Sequence, residues 1–452
     1  MFWIAAVAAS GLVALWKGSG RGPLCGSTLL GALSICASNS SLVSAQPSSD
    51  PPAAVSNFSE KSSAATPGTR SELLPRRRQH EPLVAHRKSK LARLDLYERF
   101  GNRAAGSGFS FGVRYIPPDF EHKALSLHAL AASSTRSYPY YDLQLGKVLE
   151  ELPSFGDELV GFGTADPQAR QRQHRRDFFL FGDLRRRDYR QEDFLGLGDH
   201  SSSAARNSYS WQDTFVNLVG GYRFNRWLSA AARAGLLQVD LGPGADSRFP
   251  TTQELFNDQT APGLDRQPNF LEYSSTVLVD FRDHQGNPRR GGLITAVFDR
   301  FQDREGKGVS FNRHGFDARW YFPLGSIQRV LATRFYASFS DPDAVSRVPF
   351  YMQEKVGRGE RLRSFHEYRF RDPNLAYLSV EYRWEGAPAL ECAVFYDAGK
   401  VFDHAGELSL TSLRSSAGWG VRFKLPSEVF LRVDLAYGSD GPQLNLGFAP
   451  SF

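Results

Sequence analysis

The sequence predicts an all-β fold, a 16-stranded antiparallel transmembrane β-barrel preceded by a disordered N-terminal linker. Apolar and polar residues alternate in strand after strand from about residue 372 to 452, and the polar faces carry charges and glycines. This stretch shows no helical segment that could cover the apolar faces. Because successive strand side chains face opposite sides, such strands in lipid satisfy their backbone hydrogen bonds only by closing on themselves.

The alternation is clearest in three strands near the C-terminus. The apolar sets are Leu390, Cys392, Val394 and Tyr396; Trp419, Val421, Phe423 and Leu425; and Leu431, Val433, Leu435 and Tyr437. The polar sets are Glu391, Ala393, Phe395 and Asp397; Gly418, Gly420, Arg422 and Lys424; and Arg432, Asp434 and Ala436. We interpret the apolar sets as facing lipid and the polar sets as lining the interior of the barrel.

Strand-like segments follow one another to the end of the chain. They lie near 108–115, 123–133, 140–149, 177–189, 209–224, 227–240, 269–283, 291–301, 309–322, 329–340, 374–384, 389–401, 413–425, 429–437 and 443–449. Bacterial single-chain barrels have an even number of strands, so one more strand is expected between 152 and 165. The interruptions at 241–267 and 341–371 are predicted to be surface loops or segments that enter the interior.

The composition agrees with a barrel. Mean hydropathy is -0.38, which excludes a bundle of membrane-spanning helices. The chain is nevertheless 13% aromatic and contains 41 glycines. Membrane barrels combine these properties because only every second strand residue is apolar and aromatic girdles lie at both interfaces. A soluble β-rich protein would share much of this composition.

Residues 1–45 are predicted to be a signal peptide. The basic Lys17 precedes a weakly apolar run at 24–37, and small residues at 43–45 come before a cleavage point at Gln46. The signal would contain two of the three cysteines. The third, Cys392, then has no partner for an internal disulfide and is interpreted as a small hydrophobic residue.

Residues 46–105 are predicted to be a disordered periplasmic linker with one short amphipathic helix near 83–100. The formal net charge is +6, and much of the excess lies in two basic regions, 70–93 and 170–190. Exported basic segments can bind the phosphates of lipopolysaccharide or of anionic lipids. The alternative interpretation is a solvated linker and a polar barrel wall.

Six short motifs between residues 193 and 399 stand in a distinctive order. They are Asp193-Phe194-Leu195-Gly196-Leu197-Gly198, Asp280-Phe281-Arg282-Asp283 followed by Pro288 and Gly291, Arg361-Leu362-Arg363-Ser364-Phe365, Arg369-Phe370-Arg371-Asp372, Glu381-Tyr382-Arg383 and Phe395-Tyr396-Asp397-Ala398-Gly399. Together they resemble the C-terminal barrel of the BamA/TamA assembly-factor superfamily, also called the bacterial surface antigen domain. The resemblance covers residues 106–452, the predicted barrel domain.

The resemblance implies a long loop that folds back into the interior, with Leu362, Arg363, Ser364 and Phe365 at its tip. It also implies that Arg363 pairs with the acidic wall residues Asp397 and Glu381. Both acids fall on polar strand faces in the residue pattern as well. A guanidinium binds a carboxylate in a bidentate, directional way and can therefore fix a loop that has few other contacts. The alternative is that the acids merely line a wet pore.

The chain departs from the family pattern at three places. Ser364 stands where the family has glycine, which can adopt tighter backbone conformations. Gly447 and Phe452 fit the C-terminal signal that the barrel-assembly machinery reads, whereas Pro450 between them lacks a backbone donor. No POTRA module is recognisable, because 46–103 is too short to hold one.

The sequence predicts neither catalytic residues nor a cofactor or metal site. Histidines stand singly, and there is no cysteine pair, no glycine-rich phosphate loop before a helix and no Gly-x-Ser-x-Gly motif. The chain is therefore predicted not to be an enzyme. A barrel enzyme whose serine, histidine and acid meet only in space stays open as a less favoured alternative.

These observations predict an integral, multi-pass β-barrel of the bacterial outer membrane that acts in insertion, assembly or translocation of proteins or lipids. The mechanism would rest on a weakly closed seam near 109–115 and 443–449. Expected partners are outer-membrane lipids including lipopolysaccharide, the barrel-assembly machinery and client outer-membrane or secreted proteins, but no nucleic acid. The alternative is a passive channel or structural surface barrel that has lost the assembly role.

Overall fold

In the computed structural model, the described residues form an antiparallel β-sheet of seventeen strands and a small sheet of two strands. The structure describes residues 96–101, 109–115, 125–147, 160–161, 177–199, 201–202, 205–357, 361–409, 411–425, 428–447 and 451–452. The predicted signal peptide and most of the predicted linker lie outside these residues.

The strands are β1 (Leu96–Gly101), β2 (Ser110–Tyr115), β3 (Ser126–Ser134), β4 (Tyr140–Lys147), β5 (Val160–Gly161), β6 (Asp177–Phe194), β7 (Asn207–Arg223), β8 (Leu228–Pro243), β9 (Asn269–Asp280), β10 (Gly291–Asp303), β11 (Phe311–Leu324), β12 (Ser326–Pro342), β13 (Glu354–Val356), β14 (Phe370–Asp372), β15 (Asn374–Ala387), β16 (Leu390–Phe402), β17 (Arg414–Leu425), β18 (Glu428–Gly438) and β19 (Gly441–Gly447). Within the described residues a short helix, α1, spans Thr252–Leu255, and 3-10 turns span Phe350–Met352 and Ala405–Glu407. None of the helices in the described residues has the length and apolarity needed to cross a bilayer.

Sixteen strands of the large sheet follow one another in chain order, each antiparallel to the next, as predicted. The ladders join β1 through β4 to β6 through β12 and then to β15 through β19. Within the described part of the chain, no ladder joins β19 back to β1. The hairpin of β13 and β14 forms the separate small sheet.

The predicted start of the barrel is wrong. The first strand, β1, lies inside the segment assigned to the linker and the amphipathic helix, and it pairs with β2 along its whole length. Of the interval 152–165, where one more strand is expected, the structure describes residues 160 and 161, which form β5 and pair with Arg99 and Phe100. The seam is therefore bounded by β1 and β19, and not by the predicted 109–115.

Apolar side chains point outward from the wall and polar side chains point inward. On β7, Val216 is 50% exposed and Leu218 is 57% exposed on the outer face, whereas Asn217 between them is 5% exposed and faces inward. A row of polar residues limits the outer apolar band on β6, β7 and β8. This polar row consists of Arg186, Thr214 and Gln238, which are direct neighbours in the strand register.

One end of the barrel carries the long segments 195–206, 244–268 and 343–373, and we call it the loop end. At this end an apolar cluster fills the mouth of the barrel. We call this cluster the mouth core; it consists of Phe194, Tyr209, Trp211, Phe215, Leu237, Val239, Leu241, Ala261, Leu264, Phe270, Phe301, Val309, Phe311, Val348, Phe350 and Tyr351. Two of the loops thus fold onto inward-facing wall residues and close the mouth with buried apolar area.

Aromatic side chains give the mouth core defined geometry. The Trp211 and Tyr351 rings meet edge to face with centroids 5.8 Å apart, and Phe350 lies 5.0 Å from both Phe194 and Tyr209. Aromatic pairs of this kind contribute about 0.5–1.5 kcal/mol each beyond the area that they bury. Residues 350 and 351 therefore anchor the loop that contains them to the wall strands β6 and β7.

We expect a charge on the outer apolar band to destabilise the barrel in lipid in a manner that depends on its height. Leu218→Arg should lower the free energy of unfolding by ~2–4 kcal/mol, because the guanidinium would enter the hydrocarbon region. Gln238→Arg, in the polar row, should lower it by less than ~1 kcal/mol. Denaturant titrations in lipid vesicles, followed by tryptophan fluorescence, measure both values. Equal destabilisation by the two variants would contradict a lipid-facing band that ends at the polar row.

Candidate functional site

The segment 343–373, which we call the interior loop, leaves the wall after β12, enters the barrel and returns to it at β15. Its hairpin of β13 and β14 lies above a tip formed by residues 361–369. The tip packs an apolar face against the wall. Leu362 and Phe365 are at most 1% exposed and belong to a buried cluster with Val356, Phe370, Leu375, Tyr377 and Val401. The tip predicted from sequence thus lies inside the barrel.

Arg363 is 1% exposed and contacts both predicted acids. Its Nε and Nη2 donate to the two carboxylate oxygens of Asp397 at 2.8 Å each, and its Nη1 donates to Glu381 Oε1 at 2.6 Å. The guanidinium carbon also lies 3.3 Å from the centre of the Phe395 ring. A bidentate pair with a stacked ring fixes both the position and the plane of the guanidinium.

The carboxylates are themselves oriented by the wall. Ser379 Oγ donates to Asp397 Oδ1 at 2.7 Å, and the Tyr377 hydroxyl donates to the same oxygen at 3.2 Å. Arg383 Nε donates to Glu381 Oε2 at 2.7 Å. Each acid therefore accepts hydrogen bonds from wall residues as well as from the loop, so the site exists as a surface of β15 and β16 that the tip completes.

Sequence reasoning missed a third acid and a further arginine. Asp434 on β18 accepts from Arg363 Nη1 at 3.2 Å, and Arg422 on β17 bridges Asp434 at 2.7 Å and Glu381 at 2.9 Å. Both had been assigned to the polar faces of their strands. What the pattern lacks is the arrangement of neighbouring strands, which brings the side chains of residues 381, 422 and 434 within hydrogen-bonding distance although they are not cross-strand partners.

The last strand also reaches the tip. Asn445 Nδ2 on β19 donates to the backbone carbonyl of Arg363 at 2.8 Å. Asn445 is 3% exposed, and its strand contributes the outward-facing Leu444 and Leu446, which are 55% and 52% exposed. The tip thus contacts four wall strands, β15, β16, β18 and β19, and the last of them borders the seam.

The strained backbone of the tip lies at Leu362, two residues before Ser364, the position that the sequence indicates. Ser364 does not have a positive φ, whereas Leu362 does, at 52°. A bulky residue in this region is rare and is held there by its surroundings, here the buried cluster around Phe365 and Phe370. Ser364 is fully buried, and a glycine of the wall, Gly438, makes room for it.

The other side of the interior loop is bound to the opposite wall. Lys355 Nζ lies 2.5 Å from Glu192 Oε2, and Arg371 Nη1 donates to the Tyr209 hydroxyl at 2.8 Å. Burial lowers the pKa of Lys355 to about 8, against the opposing effect of Glu192. The loop therefore spans the interior from β6 and β7 to β15 through β19, with charged contacts at each end.

The two C-terminal residues predicted as a targeting signal lie apart from the tip. Gly447 ends β19 beside the Arg432 side chain. Phe452 is 3% exposed and packs on the inner face of the wall against Tyr321, Val330 and Ala332. The chain end is thus inside the barrel, next to β11 and β12, and not part of the last strand.

Chemistry other than ion pairing finds no support at this site. Among the residues that the structure describes, no group of three or more histidines, cysteines, aspartates or glutamates has the geometry to hold a metal ion. Each carboxylate of the tip site is bound by arginine. The arrangement acts as a structural clamp on the loop.

Comparison with known proteins agrees with the architecture. The family model described as the Omp85 superfamily domain matches residues 163–449. Among solved structures, BamA from Haemophilus ducreyi lacking POTRA domains 1–3 has a TM-score of 0.55 and 16% sequence identity, over 78% of this chain and 68% of that chain. No curated protein matches the chain in sequence.

Two structures of CdiB match more weakly. CdiB from Acinetobacter baumannii has a TM-score of 0.41 and 12% identity, over 78% of this chain and 58% of that chain. CdiB from Escherichia coli has a TM-score of 0.44 and 13% identity, over 78% of this chain and 62% of that chain. The chain spans less than two thirds of the length of both.

We expect Arg363→Ala to release the tip. The variant leaves buried carboxylates without their partner, which costs ~3–5 kcal/mol, so the docked state of the interior loop should be lost before the barrel itself unfolds. Trypsin should then cleave the refolded protein after Arg347 and Lys355, as mass spectrometry of the fragments would show. Arg363→Lys should give partial protection, because an ammonium cannot form the bidentate pair.

The matched control is Arg248→Ala, which removes an equal charge from an exposed loop. Arg248 is 78% exposed and pairs with Asp246 outside the barrel. It should leave protection of the interior loop unchanged. If Arg363→Ala were as resistant to trypsin as the wild type, the ion pairs would not be what holds the tip.

We expect Gly438→Ala to displace the tip through a steric clash. A Cβ at this position would overlap Ser364 Oγ and lie 3.0 Å from Ser364 Cβ. The double variant with Ser364→Gly removes that obstacle and should recover part of the lost stability, because 2.8 Å to the Ser415 carbonyl remains too close. Unfolding midpoints of the four proteins form a double-mutant cycle. Additive effects of the two substitutions on the unfolding midpoint would show that Gly438 and Ser364 do not interact.

Proposed function

Because the chain belongs to the Omp85 superfamily, whose model matches residues 163–449, we propose that it acts in the insertion, assembly or translocation of proteins, or of lipids, at the bacterial outer membrane. The observation that carries this proposal is the interior loop, which is clamped at its tip by Arg363.

The proposed location rests on the wall. Its outer face is apolar between the polar row and the opposite end, as a lipid-facing band requires, and its backbone is paired from strand to strand. Residues 1–45 would be removed as a signal peptide, and the following residues up to β1 would form the periplasmic linker. The loop end would then face the cell exterior, and both chain termini of the barrel the periplasm.

The clamp makes one part of the wall rigid. Arg363, together with Asp397, Glu381 and Asp434, links the strands β15 to β18 to a loop that is anchored on β6 and β7 as well. Desolvated ion pairs of this kind cost several kcal/mol to break. A barrel braced across its interior keeps its shape when another part of its wall opens.

The seam is the part that we propose to open. Its border strands β1 and β19 have 6 and 7 residues, whereas β6 and β7 have 18 and 17. In the described part of the chain no ladder joins β1 to β19, and strands of this length form few backbone hydrogen bonds with any partner, each worth about 0.5–1.5 kcal/mol. The edge of β1 that faces away from β2 pairs with β5, so this edge accepts an added strand. A client strand could be received there by β-augmentation.

A passive channel is less well supported. The mouth core buries aromatic and aliphatic side chains at the loop end, and the interior loop packs against the wall inside the barrel. Both reduce the space through which water and ions could pass. We therefore expect low conductance from the purified wild-type protein in planar bilayers, and this is the measurement on which the channel alternative depends.

The proposed partners follow from the role. BamA-like homologues work with partner proteins and with client outer-membrane proteins. For this chain we propose client outer-membrane or secreted proteins at the seam. We also propose that the barrel-assembly machinery binds the C-terminus of this chain before the chain folds, since Phe452 is buried once the barrel has formed.

Depletion of the protein in its native cell, followed by quantitative proteomics of the outer membrane, tests the proposal. We expect a selective loss of other barrels or of a secreted client. Wild-type protein and Arg248→Ala should restore the missing proteins, whereas Arg363→Ala should restore less than about half as much per molecule of folded barrel, because an undocked loop no longer braces the wall.

The amount of each variant in the outer membrane is measured in the same experiment, which separates loss of activity from loss of protein. An unchanged outer-membrane proteome after depletion would overturn the assembly role. High conductance that does not depend on Arg363 would then favour the channel.

A further inference from the structure

The outer face of the barrel carries a depression in a wall region that the proposed mechanism does not use. It is an open groove of about 670 Å³ that runs along β3. The floor is made by Ala129 and Ala131, and the sides are made by the larger outward residues of β2 and β4: Val113, Tyr115, Tyr141 and Leu143. Adjacent strands lie about 4.8 Å apart, so the walls are about 10 Å apart, which is wide enough for an acyl chain.

A basic side chain closes the groove toward the loop end. Arg186 on β6 is exposed, lines the groove and lies in register with Tyr141 on one side and Thr214 on the other. It belongs to the polar row that limits the apolar band. Its neighbour on the same face in the direction of the groove, Leu184, is 44% exposed and apolar. The guanidinium therefore stands where acyl chains meet headgroups.

Most of the hydrogen-bonding capacity of Arg186 is unused. In the described part of the chain it makes one hydrogen bond, from Nη1 to Thr214 Oγ1 at 2.9 Å. A guanidinium has five N–H donors in a planar fork that matches a phosphate. Asp188, two residues further along the same strand, forms no ion pair with it in this part of the chain. The charge is thus available to an anionic group that comes from the membrane.

We propose that this groove is a binding site for a phosphorylated glycolipid of the outer leaflet, of the lipid A type. One acyl chain lies along the alanine floor of β3, and a phosphate on the sugar is bound by Arg186, with the Tyr141 ring at the interface between them. A neutral lipid fits the floor but leaves the guanidinium without a counter-charge. This charge complementarity selects the phosphorylated lipid as the occupant.

The inference rests on the proposed outer-membrane location and orientation, but not on assembly activity. Its test is accordingly a binding measurement on the purified full chain in mild detergent, by native mass spectrometry. The probes are bisphosphorylated lipid A, its dephosphorylated form and phosphatidylglycerol. If depletion shows no assembly role but the purified protein binds the lipid, the proposed function fails and the lipid site stands. If the assembly role is found but the lipid does not bind, the lipid site alone fails.

Two variants separate the charge from the shape of the groove. Arg186→Gln should weaken binding of bisphosphorylated lipid A roughly tenfold, because a charge-assisted hydrogen bond is lost, with no effect on the dephosphorylated form. Ala131→Phe should weaken binding of both forms by filling the floor. The matched controls are Arg248→Ala, an arginine of an exposed loop, and Ala296→Phe, an outward alanine on β10. Both controls should bind as the wild type does.

Folding of each variant is checked by its heat-modifiable migration in gels. If Ala131→Phe does not fold, the comparison of Arg186→Gln and of the two lipid A forms still decides. Equal binding of the dephosphorylated form, equal binding of phosphatidylglycerol, or no effect of Arg186→Gln would each overturn the proposal.

Discussion

The guanidinium of Arg363 is the group on which the interior of this barrel depends. An arginine cannot lose its proton in a protein, so its burial at 1% exposure has to be balanced by carboxylates. Asp397, Glu381 and Asp434 supply that balance, and they come from three different strands. Docking the tip therefore fixes the relative heights of those strands as well as the path of the loop.

The clamp and the mouth core support each other. The interior loop, which carries Arg363 at its tip, also places Phe350 and Tyr351 in the mouth core and Lys355 beside Glu192 on the far wall. The charged contacts of Lys355 and Arg363 orient the loop on the two sides of the barrel, and the buried apolar side chains provide most of the free energy of burial. Undocking the tip would expose apolar surface as well as charge, which makes the docked loop a cooperative unit.

Much of the wall could be predicted from the sequence because a period of two residues is a local property. The tip and two of its acids followed from the motifs around residues 363, 381 and 397. The strand β1 was missed because Leu96-Tyr97-Glu98-Arg99-Phe100 does not alternate and resembles an amphipathic helix instead. Asp434 was missed because its contact with Arg363 depends on the strand register, which no local pattern contains. The positive φ of Leu362 likewise results from packing.

The placement of the clamp relative to the seam has a mechanical consequence. Local opening starts where backbone pairing and buried area are smallest. In this barrel the ion pairs bind β15 to β18 tightly, Asn445 extends that hold to β19, and the next border is the six-residue strand β1. A firmly held strand on one side of the seam and a short strand on the other confine movement of the wall to the border between them, where the described residues form no ladder. The edge of β1 that faces away from β2 already pairs with β5. A client strand that binds there would replace one short partner of β1 by another, so no unpaired strand edge has to be exposed first.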